Sequence, residues 1–218
     1  MARAPIIPTT PSEEAYRVDE DQGEVFTRED PIELFEEWFE LAKTKEPNDA
    51  NAMALATAGA DSQPDVRMVL LKDVSAKGFS FYTGEGSAKG EDLAQNPRAA
   101  LCFHWKTLRR QVRVRGPVSF ASDADTDAYF AERARGARIA AWASSQSRPL
   151  DSPETFRRQY DEMVLKFEGK DVPRPSYWRG YVVEPAEIEF WVNRPFRLHD
   201  RLLFVRDGAG WRTTRLYP

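Results

Sequence analysis

The chain has 218 residues, 41% of them hydrophobic, enough to bury one good core, so a single domain is the default. Charged residues make up 30%, yet the formal net charge is only −4, which gives no reason to expect nucleic acid or a membrane surface as a partner. No apolar run reaches bilayer length, the start Met1–Ile7 holds no secretory segment, and a lone Cys102 cannot form an internal disulfide, all of which fits a reducing cytoplasm.

Residues 1–29 are rich in Pro, Thr, Glu and Asp, and their composition predicts a mobile N-terminal arm ahead of one domain over 30–218. A helix should follow, capped by Asp30 with Pro31 in first position and Glu33 three residues after the cap; Ile32, Phe35, Trp38, Phe39 and Ala42 line its apolar face. From residue 52 the period becomes that of strands, over Ala52–Thr57, Val66–Lys72, Phe79–Tyr82, Ala99–Trp105 and Gln111–Val118. A short helix after Ser87 interrupts them and ends near Asn96-Pro97. Helices resume at Ser122 and at Ser152-Pro153, the latter with a stripe of Phe156, Tyr160, Met163, Val164 and Phe167 that predicts core packing up to Gly169. Strands return at Gly180–Glu184, Ile188–Val192 and Leu202–Arg206, the last pairing with Trp211–Leu216 through Asp207-Gly208-Ala209-Gly210. Consecutive strands with few helices between them, and no Gly-rich dinucleotide fingerprint, predict an antiparallel barrel with helices packed outside it.

Several segments place polar groups where a ligand can reach them. Arg197-Leu198-His199-Asp200-Arg201 sets one of only two histidines between two arginines just past the apolar strand Ile188-Glu189-Phe190-Trp191. Guanidinium groups grip phosphate or carboxylate in forked geometry, and imidazole moves protons near neutral pH. Arg67-Met68-Val69-Leu70-Leu71-Lys72 carries a cation at each end of an apolar run, five residues apart and so on opposite faces of a strand. Tyr82-Thr83-Gly84-Glu85-Gly86-Ser87-Ala88-Lys89 joins a strand end, a turn and a helix start, where N–H groups, a hydroxyl and an ammonium make a phosphate cradle without being a Walker loop. Gln111 opens the polar face of an alternating strand, and Trp142-Ala143-Ser144-Ser145-Gln146-Ser147 offers an amide and hydroxyls in a loop of small residues. Two histidines far apart in the chain and a single cysteine are too few ligands for a metal site, so the chemistry falls to an organic cofactor or to acid–base groups.

In this order the segments resemble the pyridoxamine 5′-phosphate oxidase family, over nearly everything from about residue 30 to Pro218. The resemblance implies an FMN-binding split β-barrel of antiparallel Greek-key type, working as a homodimer with FMN at two sites across the subunit interface. It would oxidise pyridoxamine and pyridoxine 5′-phosphates to pyridoxal 5′-phosphate with O2 as acceptor and H2O2 released. Carried over by residue, Arg67, Met68, Val69, Leu70, Leu71, Lys72, Tyr82, Thr83, Lys89, Gln111, Gln146, Ser147, Trp191 and Arg201 would contact FMN. Lys72, Tyr129, Arg133, Arg197, Leu198 and His199 would contact the small-molecule substrate, with Arg197 and His199 as the catalytic pair. Tyr129 and Arg133 are four apart in the Ser122 helix and should share a face.

The sequence departs from the family pattern at two phosphate contacts. Ser87-Ala88-Lys89 stands where Ser-Arg-Lys is common, and Arg133-Ala134-Arg135-Gly136-Ala137-Arg138 where Arg-Pro-Arg-Asp-Ser-Gln is common; Arg138 is a candidate to compensate. The alternatives are a related FMN-dependent oxidase of another substrate, of the phenazine-pathway type, and a flavin-binding module without turnover.

Overall fold

In the computed structural model, which describes residues 22–218, the first helix begins where the sequence supplies its cap. The Asp30 carboxylate accepts hydrogen bonds from the N–H groups of Ile32 and Glu33, and α1 runs Pro31–Lys45. Leu34, Phe35, Trp38 and Ala42 are buried, while Ile32 and Phe39 flank them half-buried, so the apolar face is centred on Leu34 and Phe35. The predicted arm is packed from Gln22 onward. Val25 is buried, and its carbonyl accepts from Trp38 Nε1 at 3.0 Å. Residues 1–21 of that arm lie outside the described residues.

The remaining elements in chain order are β1 Ala52–Ala58, β2 Pro64–Leu70, β3 Asp73–Ser75, β4 Gly78–Gly84, α2 Ala88–Gln95, β5 Arg98–Trp105, β6 Arg110–Phe120, α3 Asp123–Glu132, α4 Arg135–Ala143, α5 Pro153–Lys166, β7 Trp178–Val183, β8 Glu187–Val192, β9 Asp200–Asp207 and β10 Gly210–Leu216. Every pairing is antiparallel. One path runs β10-β9-β8-β6-β5-β1-β2, and β7 and β4 continue from the far half of β6. Strand β6 makes the curl by pairing Arg110–Arg115 with β8 and Val118–Phe120 with β7. Gly116 sits at the changeover, where an added Cβ would lie 1.8 Å from the Glu184 carbonyl oxygen, so only glycine allows the chains to approach there.

The core lies inside this curl with α1 as its plug. Phe35 meets Phe79 and Phe103 edge-on at centroid distances of 4.9 and 5.0 Å, and Trp38 meets Phe190 at 5.1 Å. Each such side chain contributes about 1.5–3 kcal/mol on burial. The α5 stripe is different: no α5 residue is fully buried, and Tyr160 and Met163 join a satellite cluster of Ile139, Phe167 and Val172, while Val164 is exposed. The partner of this stripe is α4, a helix the sequence reading did not find. No described helix is long and apolar enough to cross a membrane.

Candidate active site

An open groove of about 740 Å³ lies beside the edge strand β2, and it brings together most of the predicted site. Its lining includes Arg67, Met68, Val69, Leu70 and Lys72 from β2 and the turn after it, Tyr82, Thr83 and Lys89 from β4 and α2, and Tyr129, Arg133, Gln146 and Ser147 from the helical segment. Val66, Met68 and Leu70 alternate on the exposed face of β2, while Arg67 and Val69 turn inward. Leu71 does not belong to the groove. The strand stops at Leu70, the Leu71 side chain is buried in the core, and its N–H and C=O pair with the Asn51 carbonyl and side-chain amide.

The cradle at the start of α2 is built as the spacing predicts. Ser87 caps the helix, accepting from the Gly90 N–H at 3.3 Å and donating to the Gly84 carbonyl at 2.7 Å. Lys89 is 6% exposed, and its Nζ has only the hydroxyls of Thr83 and Ser87 near it, each at 3.4 Å. Among the described residues no carboxylate pairs with it. Burial first, then the Arg67 charge, lowers its pKa, and Asp65 only partly opposes this. Arg67 by contrast is engaged, donating to the Leu55 carbonyl at 3.2 Å and Thr57 Oγ1 at 2.6 Å and pairing with Asp65. Thr83 Oγ1 also donates to Gln146 Oε1 at 2.9 Å, which ties the 144–147 loop to the cradle; Ser147 there adopts φ +68°.

At the other end of the groove, Tyr82, Tyr129 and Trp178 form an aromatic stack. Tyr82 lies 4.2 Å from Tyr129 and 5.3 Å from Trp178, with interplanar angles of 20° and 10°. Lys72 Nζ stands 5.6 Å from the Tyr129 ring. Helix α3 ends at Glu132, and Arg133 is its cap in extended conformation, so Tyr129 and Arg133 do not share a helical face as predicted. They converge instead on Trp178, with the Arg133 guanidinium 4.9 Å above the indole. Arg133 Nη1 is buried with no hydrogen-bond partner. Arg138 does not compensate for the missing serine: it pairs with Asp171 at 2.9 Å, and the groove does not reach it. Trp178 was missed because nothing in its spacing marks a lone tryptophan at a strand start as part of a clamp.

The remaining predicted residues form a second cluster. Gln111, Trp191 and Arg201 are cross-strand neighbours on β6, β8 and β9. Arg201 Nε donates to Glu189 at 2.8 Å and its Nη1 to the Tyr217 carbonyl at 2.9 Å; Arg113 pairs with the same carboxylate. Burial pushes the Glu189 pKa up, but hydrogen bonds from Arg201 and Arg113 prevail and hold it below the usual value. The His199 ring lies 4.6 Å from Trp191, and its Nδ1 accepts the Arg194 backbone N–H at 3.2 Å. Burial, then the Arg197 charge, lowers the His199 pKa and favours the neutral ring. A backbone N–H can only donate, so Nδ1 carries the lone pair and Nε2 the proton. The segment is not extended, as the alternation argument assumed. Pro195–Arg197 is a 3₁₀ turn with φ +55° at Phe196 and +62° at Arg197, and of Arg197, His199 and Arg201 only the last belongs to a strand. Arg197 and Leu198 are exposed on this turn.

The two clusters do not meet within one chain. Strand β8 is four strand spacings from β2, about 19 Å along the sheet, and none of Gln111, Trp191, Arg197, His199 or Arg201 lines the groove.

Residues 41–167 match the family model described as pyridoxamine 5′-phosphate oxidase, and residues 178–218 match its C-terminal dimerisation region. The chain is 55% identical to a pyridoxine/pyridoxamine 5′-phosphate oxidase of Maricaulis maris over 100% of both chains. It is also 55% identical to one of Brucella anthropi over 86% of this chain and 94% of the relative. PhzG of Burkholderia lata, solved with tetrahydrophenazine-1-carboxylic acid, superposes with a TM-score of 0.85 at 31% identity, covering 92% of this chain and 99% of that one. An FMN-binding protein of Nostoc punctiforme related to pyridoxamine 5′-phosphate oxidase shares the fold, with a TM-score of 0.70 at 17% identity over 86% of this chain and 98% of that one. Relatives this similar over this much of the chain leave one assignment: the chain belongs to the pyridoxamine 5′-phosphate oxidase family of oxidoreductases.

Proposed function

We propose that the chain binds FMN and oxidises pyridoxamine 5′-phosphate and pyridoxine 5′-phosphate to pyridoxal 5′-phosphate, with O2 as acceptor and H2O2 released. The observation that carries this reading is a pair of uncompensated cations in one groove: buried Lys89 with only hydroxyls beside it, and Arg133 with a buried, unpaired Nη1. A buried cation without an anion is costly, and two of them in one groove call for two anionic groups. A monophosphate cofactor and a phosphorylated substrate bring one each.

Lys89, the Thr83 hydroxyl and the N-terminus of α2 would hold the cofactor phosphate, with Gln146 and Ser147 closing that end. Arg67, Met68, Val69, Leu70, Lys72 and Tyr82 would line the ring. Lys72, Tyr129 and Arg133 would clamp the substrate phosphate. Bound FMN supplies the two-electron acceptor, and O2 restores its oxidised form. Gln111, Trp191 and Arg201 would meet the cofactor, and Arg197, Leu198 and His199 the substrate ring, all from a second copy of the chain. The separation of the two clusters within one chain supports a homodimeric working unit, as does the match to a dimerisation region. With Nδ1 taken by the Arg194 N–H, His199 would present Nε2–H and orient the substrate by donation, while Arg197 stabilises charge over the ring.

Hydrogen peroxide release, followed with pyridoxine 5′-phosphate beside unphosphorylated pyridoxine, tests the reading. A strong preference for the phosphate is expected. A yellow protein that turns over neither compound, or both equally, overturns it.

A further inference from the structure

The loop between β8 and β9 holds backbone that non-glycine residues seldom adopt, with positive φ at both Phe196 and Arg197. Such a turn persists only where its surroundings fix it. The fixing groups come from Arg194, which lies outside the motif that drew attention in the sequence. Its Nε donates to Asp200 Oδ2 at 2.7 Å, so one guanidinium joins the two stems of the loop. Its Nη2 donates to the Gly23 carbonyl at 2.8 Å, across 171 residues of chain. Its own N–H meets His199 Nδ1. Gln22 anchors the Gly23 segment from the other side, donating to the Leu108 carbonyl at 3.2 Å and accepting from Arg110 Nε at 3.1 Å. The Arg194 side chain itself is 14% exposed, while its partners Asp200 and Gly23 lie nearer the solvent.

We propose that Arg194 is a positioning residue: its side chain staples the 193–200 loop to itself and to the Gln22–Gly23 strap, and so keeps its backbone N–H on His199 Nδ1 and the His199 proton on Nε2. The inference rests on the reading of His199 as the residue that faces substrate. A guanidinium suits the task because its rigid fork sends separate donors to the Asp200 carboxylate and the Gly23 carbonyl; a lysine ammonium at the end of a flexible stem reaches one of them well. Arg194 touches neither of the groups in the β2 groove, so its loss acts on the loop and not on the phosphate cradle.

The test is a long-range proton–nitrogen spectrum of the flavin-loaded protein labelled at the histidine nitrogens. The chain has two histidines, and the signals of His199 are identified by their loss in His199→Asn. The wild type should show one neutral tautomer, with the proton on Nε2. Arg194→Met should show both tautomers in exchange, with kcat lowered severalfold, to about tenfold at most, as in His199→Asn, and KM for pyridoxine 5′-phosphate and FMN affinity nearly unchanged. Arg194→Lys should fall between the two. Where Arg194→Met does not fold, the lysine variant decides: a wild-type tautomer and wild-type kcat in it overturn the proposal, as they do in Arg194→Met. Should the wild type fail to oxidise B6 phosphates, the functional reading falls, and the tautomer spectra still decide on Arg194.

Discussion

The Arg133 guanidinium carbon stands over the indole of Trp178, 4.9 Å from the ring centroid, and that indole in turn stacks on Tyr82. The aromatic face holds the cation in place, and its Nη1 is buried without a hydrogen-bond partner. Arg133→Met is expected to raise KM for the phosphorylated substrate roughly 10- to 100-fold, the worth of one hydrogen bond to a charged group. Trp178→Leu should move KM the same way by less, because it releases the clamp without removing the charge. Steady-state kinetics with phosphorylated and unphosphorylated pyridoxine check both. A preference for phosphate that survives in Arg133→Met places the substrate phosphate elsewhere.

Lys89 makes stability and binding pull in opposite directions. Its burial without a carboxylate destabilises the cofactor-free chain, and its charge would hold the FMN phosphate. Lys89→Met should therefore raise the melting temperature without FMN and weaken FMN binding about 10- to 100-fold. The sign with pH follows from the lowered pKa. The penalty is fully present below the folded value and is relieved as pH rises through it, so the gap in stability between the cofactor-free proteins should narrow in alkali. Melting curves with and without FMN, at neutral and alkaline pH, decide. A cofactor-free variant less stable than the wild type contradicts the account.

Glu189 titrates in the opposite sense. It is 5% exposed between Arg113 and Arg201, and its pKa is held below the usual 4.5. A depressed carboxylate contributes stability above its unfolded pKa and loses it as pH falls through the folded value. Glu189→Gln should thus be less stable than the wild type at neutral pH, and the difference should vanish in acid, where the wild-type group is itself neutral. Thermal melts across that range show whether the two curves converge; a constant offset rules out the charge as the cause.

The elements visible in the sequence are those with local causes. Asp30, Ser87, Ser122 and Ser152 each sit where a side chain can satisfy the first N–H groups of a helix, and all four cap one. The β9–β10 hairpin follows from Gly208 at φ +58° between Asp207 and its partner Gly210. What the sequence concealed depends on distant chain. Leu71 resembles its neighbours in Met68–Lys72, but the strand ends at Leu70 and Asn51 turns the next residue into the core. Arg133 leaves its helix and settles on Trp178, some 45 residues away. The assumption of an extended 197–201 segment failed because Arg194 holds the loop in a tight turn.

His199 and Arg197 should differ in what their loss costs. With Nδ1 occupied, His199 offers a donor at Nε2, and an asparagine amide can imitate a donor. His199→Asn should lower kcat modestly, on the order of tenfold, whereas Arg197→Met should lower it roughly 30- to 1000-fold with FMN affinity intact. Arg201→Met should chiefly weaken FMN. Turnover and flavin titrations of the three variants separate these roles; a normal kcat for Arg197→Met once saturated with FMN reverses the assignment of the two arginines.

A site divided between two chains would have a consequence that no single-chain arrangement shares. Arg133 belongs to the β2 groove, and Arg197 to the loop beyond β8, four strand spacings away. In a two-fold dimer whose sites each take the groove of one subunit and the loop of the other, a hybrid of Arg133→Met with Arg197→Met carries both lesions in one site and none in the other. If subunits exchange at random, half of the dimers are hybrids and about a quarter of all sites are intact. At substrate well below the raised KM of Arg133→Met both variants are nearly inactive, and mixing them there, after brief partial denaturation to exchange subunits, should restore about a quarter of wild-type activity, also measured as H2O2 release. Each variant treated alone should stay nearly inactive at that substrate concentration. If the mixture, shown by mass to contain hybrid dimers, regains nothing, then both arginines act within the same site of one chain, and the shared-site arrangement is wrong.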